Sequence, residues 1–207
     1  YFMMMKVKEC MVFSIVGCLG MTGINHDGVA VAINNLSSYD ARIGVIWPVL
    51  VRKALMCQSA KLAKDEIMHA PNSSGRHYAI ADEHDFFGIE TSGTKKKIVC
   101  ENPDALYFHT NHCLDSEMRK THAIRKDSTT LWRYQHLDEV VRHQDLSTKE
   151  AIFLAFASVS MDYDPHQPNK TTTCGTVVMN IKERSLLGCA GVADESLLQY
   201  AASTIKL

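Results

Sequence analysis

The densest group of reactive side chains in the sequence is the run His109-Thr110-Asn111-His112-Cys113. Two imidazoles and a thiol are ligands that zinc accepts, and an asparagine amide can donate an N–H to the oxyanion that forms in acyl transfer. On an extended strand His109 and His112 would point to opposite faces, and no second Cys/His pair follows at zinc-like spacing. The pattern favours Asn111 as a functional amide, with a zinc site and a structural polar strand end as the open alternatives.

Hydrophobic periodicity predicts the elements that must position this run. Strands are predicted at Met11–Val16, Met21–Ile24, Val29–Ile33, His77–Ala81, Phe86–Glu90, Ile98–Val99, Ala105–Phe108, Thr173–Asn180 and Ser185–Cys189. Helices are predicted from Pro48 onward, over Ala60–Ala70 with Ser59 as N-cap, and over Ser128–His143 and Leu146–Ser158. Strands and helices occur in groups, which favours antiparallel sheets with helices packed outside over βαβ units.

Length and charge limit the functions open to the chain. At 207 residues it fits a single domain over residues 1–207, and 22 Lys and Arg against 23 Asp and Glu give a net charge of −1. Nucleic acids and anionic membranes both need a positive face, so neither is expected as a partner. No apolar stretch is long enough to span a bilayer, and no Gly-x-Gly-x-x-Gly or Walker loop indicates nucleotide binding.

The cysteine pattern bears on the compartment. The seven cysteines are Cys10, Cys18, Cys57, Cys100, Cys113, Cys174 and Cys189. Their odd number, wide spacing and lack of a Cys-x-x-Cys pair predict free thiols in a reducing compartment. With no signal peptide in the sequence, the cytoplasm is favoured; the sequons at Asn35, Asn72 and Asn169 lean the other way, but such short matches are frequent by chance.

Four segments, in chain order, carry a resemblance to a known family. They are Gly20–Val31 (Gly-x-x-Gly-x-Asn-x-x-Gly-x-Ala-Val, followed by Asn34 or Asn35 and Leu36), Gly88–Ser92 (Gly-x-Glu-x-Ser), His109–Leu114 and Thr172–Thr176. Together they resemble the acyl-coenzyme A:6-aminopenicillanic acid acyltransferase family, which are N-terminal-nucleophile hydrolases with a cysteine nucleophile. The resemblance implies an α+β fold, an αββα four-layer sandwich with two antiparallel sheets, and no cofactor.

The resemblance also implies roles for particular residues. Asn111 matches the family's oxyanion-hole asparagine, Ser92 a serine that lines the acyl pocket, and Thr173 a hydroxyl position of the substrate site. Cys174 stands where the penicillin enzyme has an arginine that meets a carboxylated substrate, and a thiol cannot pair with a carboxylate in that way. We expect Asn111, Ser92 and Thr173 to surround one cleft that takes a small N-acyl substrate, with an acyl-coenzyme A donor as a candidate partner.

The nucleophile is the part of the pattern that the sequence lacks. In the family it is a cysteine that opens the mature subunit, so we expect it, with its N-terminal hairpin, in a segment upstream of Tyr1, and the chain alone to be inactive. Gly17-Cys18 resembles a processing bond and makes Cys18 the one internal candidate. The alternative function is a non-catalytic protein of the same fold that binds an acylated or amino-acid ligand.

Overall fold

The computed structural model describes residues 2–7, 10–161, 166, 171–192 and 203–206, and only the backbone of the first and last of these segments. The strands are β1 (Phe2–Val7), β2 (Cys10–Ile15), β3 (Thr22–Asn25), β4 (Ala30–Asn35), β5 (Ser37–Ser38), β6 (Arg76–Ala81), β7 (Phe86–Thr91), β8 (Lys96–Glu101), β9 (His122–Ala123), β10 (Gly175–Asn180), β11 (Ser185–Ala190) and β12 (Ser203–Lys206). The helices are α1 (Trp47–Ala54), α2 (Ala60–His69), α3 (Ser116–Arg119), α4 (Thr130–His143) and α5 (Lys149–Ala157). The sequon at Asn169 lies outside the described residues.

The strands form two main antiparallel sheets. One has seven strands in the order β1-β2-β3-β4-β6-β7-β8, the other has the order β10-β11-β12, and β5 pairs with β9 separately. The turn between β3 and β4 places Gly28 at φ 87°, a backbone conformation that favours glycine. Asn25, at the start of this turn, accepts the N–H of Val29 and donates to the carbonyls of Leu55 and Cys57, which ties the hairpin to the end of α1.

Each face of the large sheet packs against a different layer. Alternating side chains on one face, among them Val31 and Ile80, form a buried cluster with the apolar sides of α1 and α2. The opposite face, with Met11, Phe13 and Ile24, packs against the three-stranded sheet. The outer face of that second sheet packs against α5 through Phe153, and α4 lies against α5. This arrangement is the predicted αββα sandwich.

Two glycines let the sheets approach each other closely. A Cβ atom on Gly175 would lie 2.5 Å from Cζ of Phe13, and one on Gly188 would lie 3.3 Å from Cδ2 of the same ring. The Phe13 ring therefore occupies the space that side chains on β10 and β11 would need. Within the part of the chain that the structure describes, no helix is long and apolar enough to cross a membrane.

The predicted strand Ala105–Phe108 is wrong: this segment has no strand partner and runs irregularly beside the sheet. Its apolar pattern reflects aromatic packing rather than pairing. Tyr107 lies over Gly88, where a Cβ atom would meet its hydroxyl oxygen at 2.8 Å, and the ring of Phe108 packs on Tyr134 at 4.7 Å between centroids.

Candidate active site

A buried carboxylate, Glu90 on β7, holds the loop that contains the reactive run. Its side chain is fully buried, and Oε1 lies 2.9 Å from Nε2 of His109 and accepts the backbone N–H of Leu114 at 2.5 Å. Oε2 accepts the N–H of Asp115 at 3.3 Å. Because a buried carboxylate is costly unless its oxygens are satisfied, this set of contacts fixes both ends of the loop 109–115 against the sheet.

A second histidine from the sheet supports the same loop. The ring of His77 on β6 stacks on His109 with centroids 3.7 Å apart and planes 1° from parallel. Nδ1 of His77 lies 2.8 Å from Oδ1 of Asn34, and Nε2 lies 3.0 Å from the hydroxyl of Tyr107. Burial, and secondarily the neighbouring His109, hold the pKa of His77 well below its usual value, so His77 is neutral near pH 7.

The backbone of Asn111 is anchored at the start of α4. Its N–H donates to the hydroxyl of Thr130 at 2.7 Å, and Thr130 is fully buried. The Thr130 hydroxyl also lies 3.1 Å from Nδ1 of His112 and donates to the hydroxyl of Thr110 at 3.0 Å. Burial, and then His109, lower the pKa of His112. These contacts set the position of the Asn111 backbone before any substrate arrives.

The amide of Asn111 is oriented from both sides. Nη2 of Arg133 donates to Oδ1 at 2.8 Å, and Nδ2 donates to the backbone carbonyl of Asn35 at 3.1 Å. A guanidinium only donates hydrogen bonds, so it fixes the oxygen side of the amide and turns Nδ2 the other way. The second N–H of Nδ2 has no protein acceptor among the described residues, and it is available to a ligand.

Asn111 lines a cavity of about 340 Å³. Its described walls come from loops around one end of the sandwich and mix polar with apolar surface: Asn35, Ser37, Asn111, Ala123, Ile124, Arg125, Asp127, Ser128, Thr129, Arg133, Val159, Met161, Thr171, Thr172 and Thr173. Thr173 is held there because its hydroxyl accepts the N–H of Met161 at 2.9 Å and its own N–H donates to the Met161 carbonyl at 2.8 Å. The structure thus brings Asn111 and Thr173 to one cavity.

A smaller cavity of about 120 Å³ adjoins the first. The two have in common the wall residues Ser37, Asn111, Ala123 and Ile124. The smaller one continues toward Leu36 and Cys113, which form a buried cluster with Met118. Asn111 therefore stands where the two cavities meet.

Two predicted site residues do not line either cavity. Ser92 is fully buried, and its hydroxyl donates to Asp40 at 2.7 Å in the turn between β7 and β8. Burial disfavours the Asp40 carboxylate, but hydrogen bonds from Thr94 and Ser92 outweigh it and lower the pKa of Asp40 to about 2. Cys174 is exposed, and its Sγ contacts the carbonyl of Thr172 at 3.6 Å.

Of the seven cysteines, Cys113 alone lines either of the two described cavities, and it is poorly suited to attack. Burial, together with Glu90, raises the pKa of its thiol to about 12, so the thiolate is absent near pH 7. Cys18, the internal candidate, lies in the turn after β2, where Sγ faces the carbonyl of Gly20 at 3.8 Å. Neither described cavity contains Cys18.

The zinc interpretation finds no support in the geometry. The ring nitrogens of His109 face Glu90 and the Thr110 carbonyl, and Nδ1 of His112 faces threonine hydroxyls. Among the residues that the structure describes, no three His, Cys, Asp or Glu side chains are arranged to hold a metal ion.

Sequence reasoning missed two residues that shape the site. Glu90 could have been recognised, since it is the one charged residue in the strand Phe86–Thr91. Buried charges are rare unless they are paired, so a charge in such a strand indicates a partner. Arg133 gave no signal, because its contact with Asn111 joins a helix to a loop far from it in sequence.

The sequence profile of the acyl-coenzyme A:6-aminopenicillanic acid acyl-transferase family matches residues 2–191. The chain belongs to this family. Its fold is similar to that of penicillin V acylase from Agrobacterium tumefaciens, with a TM-score of 0.61 and 14% identity over 98% of this chain and 71% of that one. A variant of conjugated bile acid hydrolase from Clostridium perfringens gives a TM-score of 0.66 and 12% identity over 98% of this chain and 78% of that one.

Membership of the acyl-transferase family fits the observed layers. The family and its structural neighbours are N-terminal-nucleophile enzymes that transfer or hydrolyse acyl groups, and the αββα arrangement is the architecture that the resemblance implied. At such low identities the solved structures establish the fold alone.

Proposed function

We propose that the protein is an amide-bond hydrolase or acyltransferase that works through a cysteine thioester and uses Asn111 as its oxyanion donor. The observation that carries this proposal is the Asn111 amide, which Arg133 and Asn35 hold by hydrogen bonds, with one N–H left without a protein acceptor at a residue that lines both cavities. A donor that is fixed before the reaction stabilises developing charge without reorganisation. Family membership supports the same reaction class.

The proposed reaction has two halves. A cysteine thiolate attacks the amide carbonyl, and the carbonyl oxygen takes up negative charge that the Asn111 N–H stabilises. The C–N bond then breaks, the amine leaves with the proton from the thiol, and the acyl group stays as a thioester. Water or a second amine attacks the thioester carbon, the C–S bond breaks, and the thiol is regenerated with the proton of the attacking group.

The thiol in this scheme is proposed to come from a cysteine other than the seven in this sequence. Of these seven, Cys113 alone lines either of the two described cavities, and its raised pKa opposes nucleophilic attack. In N-terminal-nucleophile enzymes one residue supplies both the thiol and an α-amine that serves as the base. We place that residue in a segment preceding Tyr1, and we infer that the chain without it turns over no substrate.

Thr173 is proposed to contact the substrate from the wall of the larger cavity. Its neighbour Cys174 offers a neutral thiol rather than a cation, so a substrate carboxylate would find no ion pair at that position. For Ser92 we propose an indirect part, because its hydroxyl is engaged with Asp40 and helps to fix the end of β7, the strand that contains Glu90.

A second candidate function is a non-catalytic protein that binds an acylated or amino-acid ligand. It is favoured by the same observation that complicates the first: neither described cavity presents a thiol that is suited to attack. Both functions use the same cavities, so binding alone does not separate them.

Trapping of the acyl-enzyme separates the two functions. The complete protein, isolated from its source, is incubated with N-acetyl, N-butyryl and N-phenoxyacetyl p-nitroanilides, quenched in acid, and its intact mass is measured. We expect release of p-nitroaniline and a mass increase equal to the acyl group on one cysteine. Saturable binding of the amides with neither release nor adduct would overturn the enzymatic proposal in favour of the ligand-binding one.

A further inference from the structure

We infer that the smaller cavity is the acyl compartment and that it restricts the enzyme to short acyl groups, smaller than an aromatic ring. This inference rests on the proposed function and deepens it by naming a substrate class. The starting point is that a carbonyl carbon has two substituents, and that two cavities diverge from Asn111, the proposed donor to the carbonyl oxygen.

The lining of the smaller cavity suits an alkyl chain. Its apolar wall includes Leu36, Ala123 and Ile124, and Cys113 adds a thiol that its raised pKa keeps neutral. No charged carboxylate lies in its described wall. An acyl chain would therefore replace water against apolar surface, which is favourable by about 25 cal/mol per Å² buried.

Two basic side chains of this wall, Arg119 and His122, contact backbone carbonyls. Nε of Arg119 donates to the carbonyl of Cys113 at 2.9 Å, and Nη2 donates to that of Leu114 at 3.1 Å. The ring nitrogens of His122 lie 2.8 Å and 3.1 Å from the carbonyls of Met118 and Thr91. These contacts engage part of the polar surface of the wall, so fewer of its polar groups are left for a ligand.

The wall of the larger cavity is more polar than that of the smaller one. Arg125, Asp127 and Arg133 line it together with several hydroxyl side chains. Among the described residues no carboxylate lies within ion-pairing distance of Arg133, while Arg125 pairs with Asp127. Burial lowers the pKa of Arg133, which reflects the cost of partly removing this cation from water. The polar, amine side of the substrate fits here.

The volume of the smaller cavity sets the size limit. An apolar cavity of about 150 Å³ holds one benzene molecule, and this one measures about 120 Å³. A phenoxyacetyl group adds a methylene and an oxygen to such a ring, so it exceeds this cavity more readily than acetyl and butyryl chains do. The structure thus assigns the enzyme to N-acyl amines with short acyl chains.

The test compares acyl chains on one amine. For the complete protein we expect kcat/KM for butyryl p-nitroanilide to exceed that for the phenoxyacetyl compound by at least about tenfold, the usual scale of discrimination by pocket size. Ile124→Ala opens the shared wall and should lower this ratio at least about fivefold. Ile124 is about half exposed, so its truncation leaves the core intact, and Ile43→Ala, at a fully exposed isoleucine outside both cavities, is the matched control.

A second comparison fixes the orientation of the substrate. Butyryl amides of p-nitroaniline and of the bulkier naphthylamine should differ in KM by less than about threefold, because the amine lies in the larger cavity. Phenoxyacetyl turnover as fast as butyryl turnover, a ratio that Ile124→Ala leaves unchanged, or sensitivity to amine bulk instead of acyl bulk would each overturn the acyl-compartment inference while the enzymatic proposal stands. Absence of turnover with every acyl amide would overturn both.

Discussion

At the scale of single residues, the Asn111 amide is the group on which the proposed chemistry depends. Replacement by alanine removes the N–H donor but keeps the backbone contact with Thr130. We therefore expect Asn111→Ala to lower kcat of the complete enzyme by about 10²–10³-fold, the usual loss for one oxyanion donor, with little change in melting temperature. A rise in KM with unchanged kcat would instead assign Asn111 to substrate positioning.

Arg133 is a positioning residue for the same reaction, since it acts through the Asn111 oxygen. Arg133→Met should leave the amide free to rotate and lower kcat by about tenfold, with a smaller change in KM. The matched control is Arg142→Met on the same helix, where the guanidinium pairs with Asp138 at the surface. Equal effects of the two substitutions on kcat would contradict a positioning role.

At the scale of elements, one strand and one loop depend on each other through Glu90. Glu90→Gln keeps the shape of the side chain but turns one of its two oxygen acceptors into an amide donor, so a buried N–H that Glu90 accepts loses its partner, which typically costs about 1–3 kcal/mol. Urea unfolding should report that loss. The same substitution at exposed Glu101, on the neighbouring strand β8, is the control; a loss at Glu90 below about 1 kcal/mol, as for a surface pair, would contradict this assignment.

The elements also show where sequence patterns are informative. The Ser59 N-cap and the helix start at Pro48 were both predicted, because each depends on local backbone chemistry. The prediction of a strand at Ala105–Phe108 was wrong because its apolar side chains serve another purpose. Tyr107 packs on the ring of Phe86 and Phe108 on that of Tyr134, with no strand pairing. The joint position of Asn111 and Thr173 was predicted through the family resemblance, whereas the contact of Arg133 depends on tertiary packing that no local pattern records.

At the scale of the whole molecule, the buried histidines make stability depend on pH. The folded-state pKa of His77 lies well below its usual value, so below about pH 6.5 the unfolded chain binds a proton that the folded protein excludes. The free energy of unfolding should therefore fall as pH decreases from about 6.5, by up to about 1.4 kcal/mol per pH unit from this group. His112, whose pKa is also lowered, adds a contribution of the same sign.

Urea unfolding at several values between about pH 7.5 and 5.5 measures this dependence. His77→Gln cannot take up the proton, so it should reduce the slope of stability against pH even though it also lowers stability at pH 7. His69→Gln, at an exposed position on α2, is the matched substitution. A slope that His77→Gln leaves unchanged would show that other groups cause the loss.

The contact of Phe13 with Gly175 and Gly188 also has a consequence for synthesis. The ring is made early on the ribosome, and the strands that cover it are made only after all of the large sheet and both helices α4 and α5. At the usual rates of about 5–20 residues per second, the 162 residues from Phe13 to Gly175 take about 8–32 seconds to make, and the apolar face around Phe13 stays uncovered for that time. During that interval the nascent chain presents Met11, Phe13 and Ile24 without their partner sheet, and such exposed apolar surface makes a nascent chain prone to aggregation until β10 and β11 emerge.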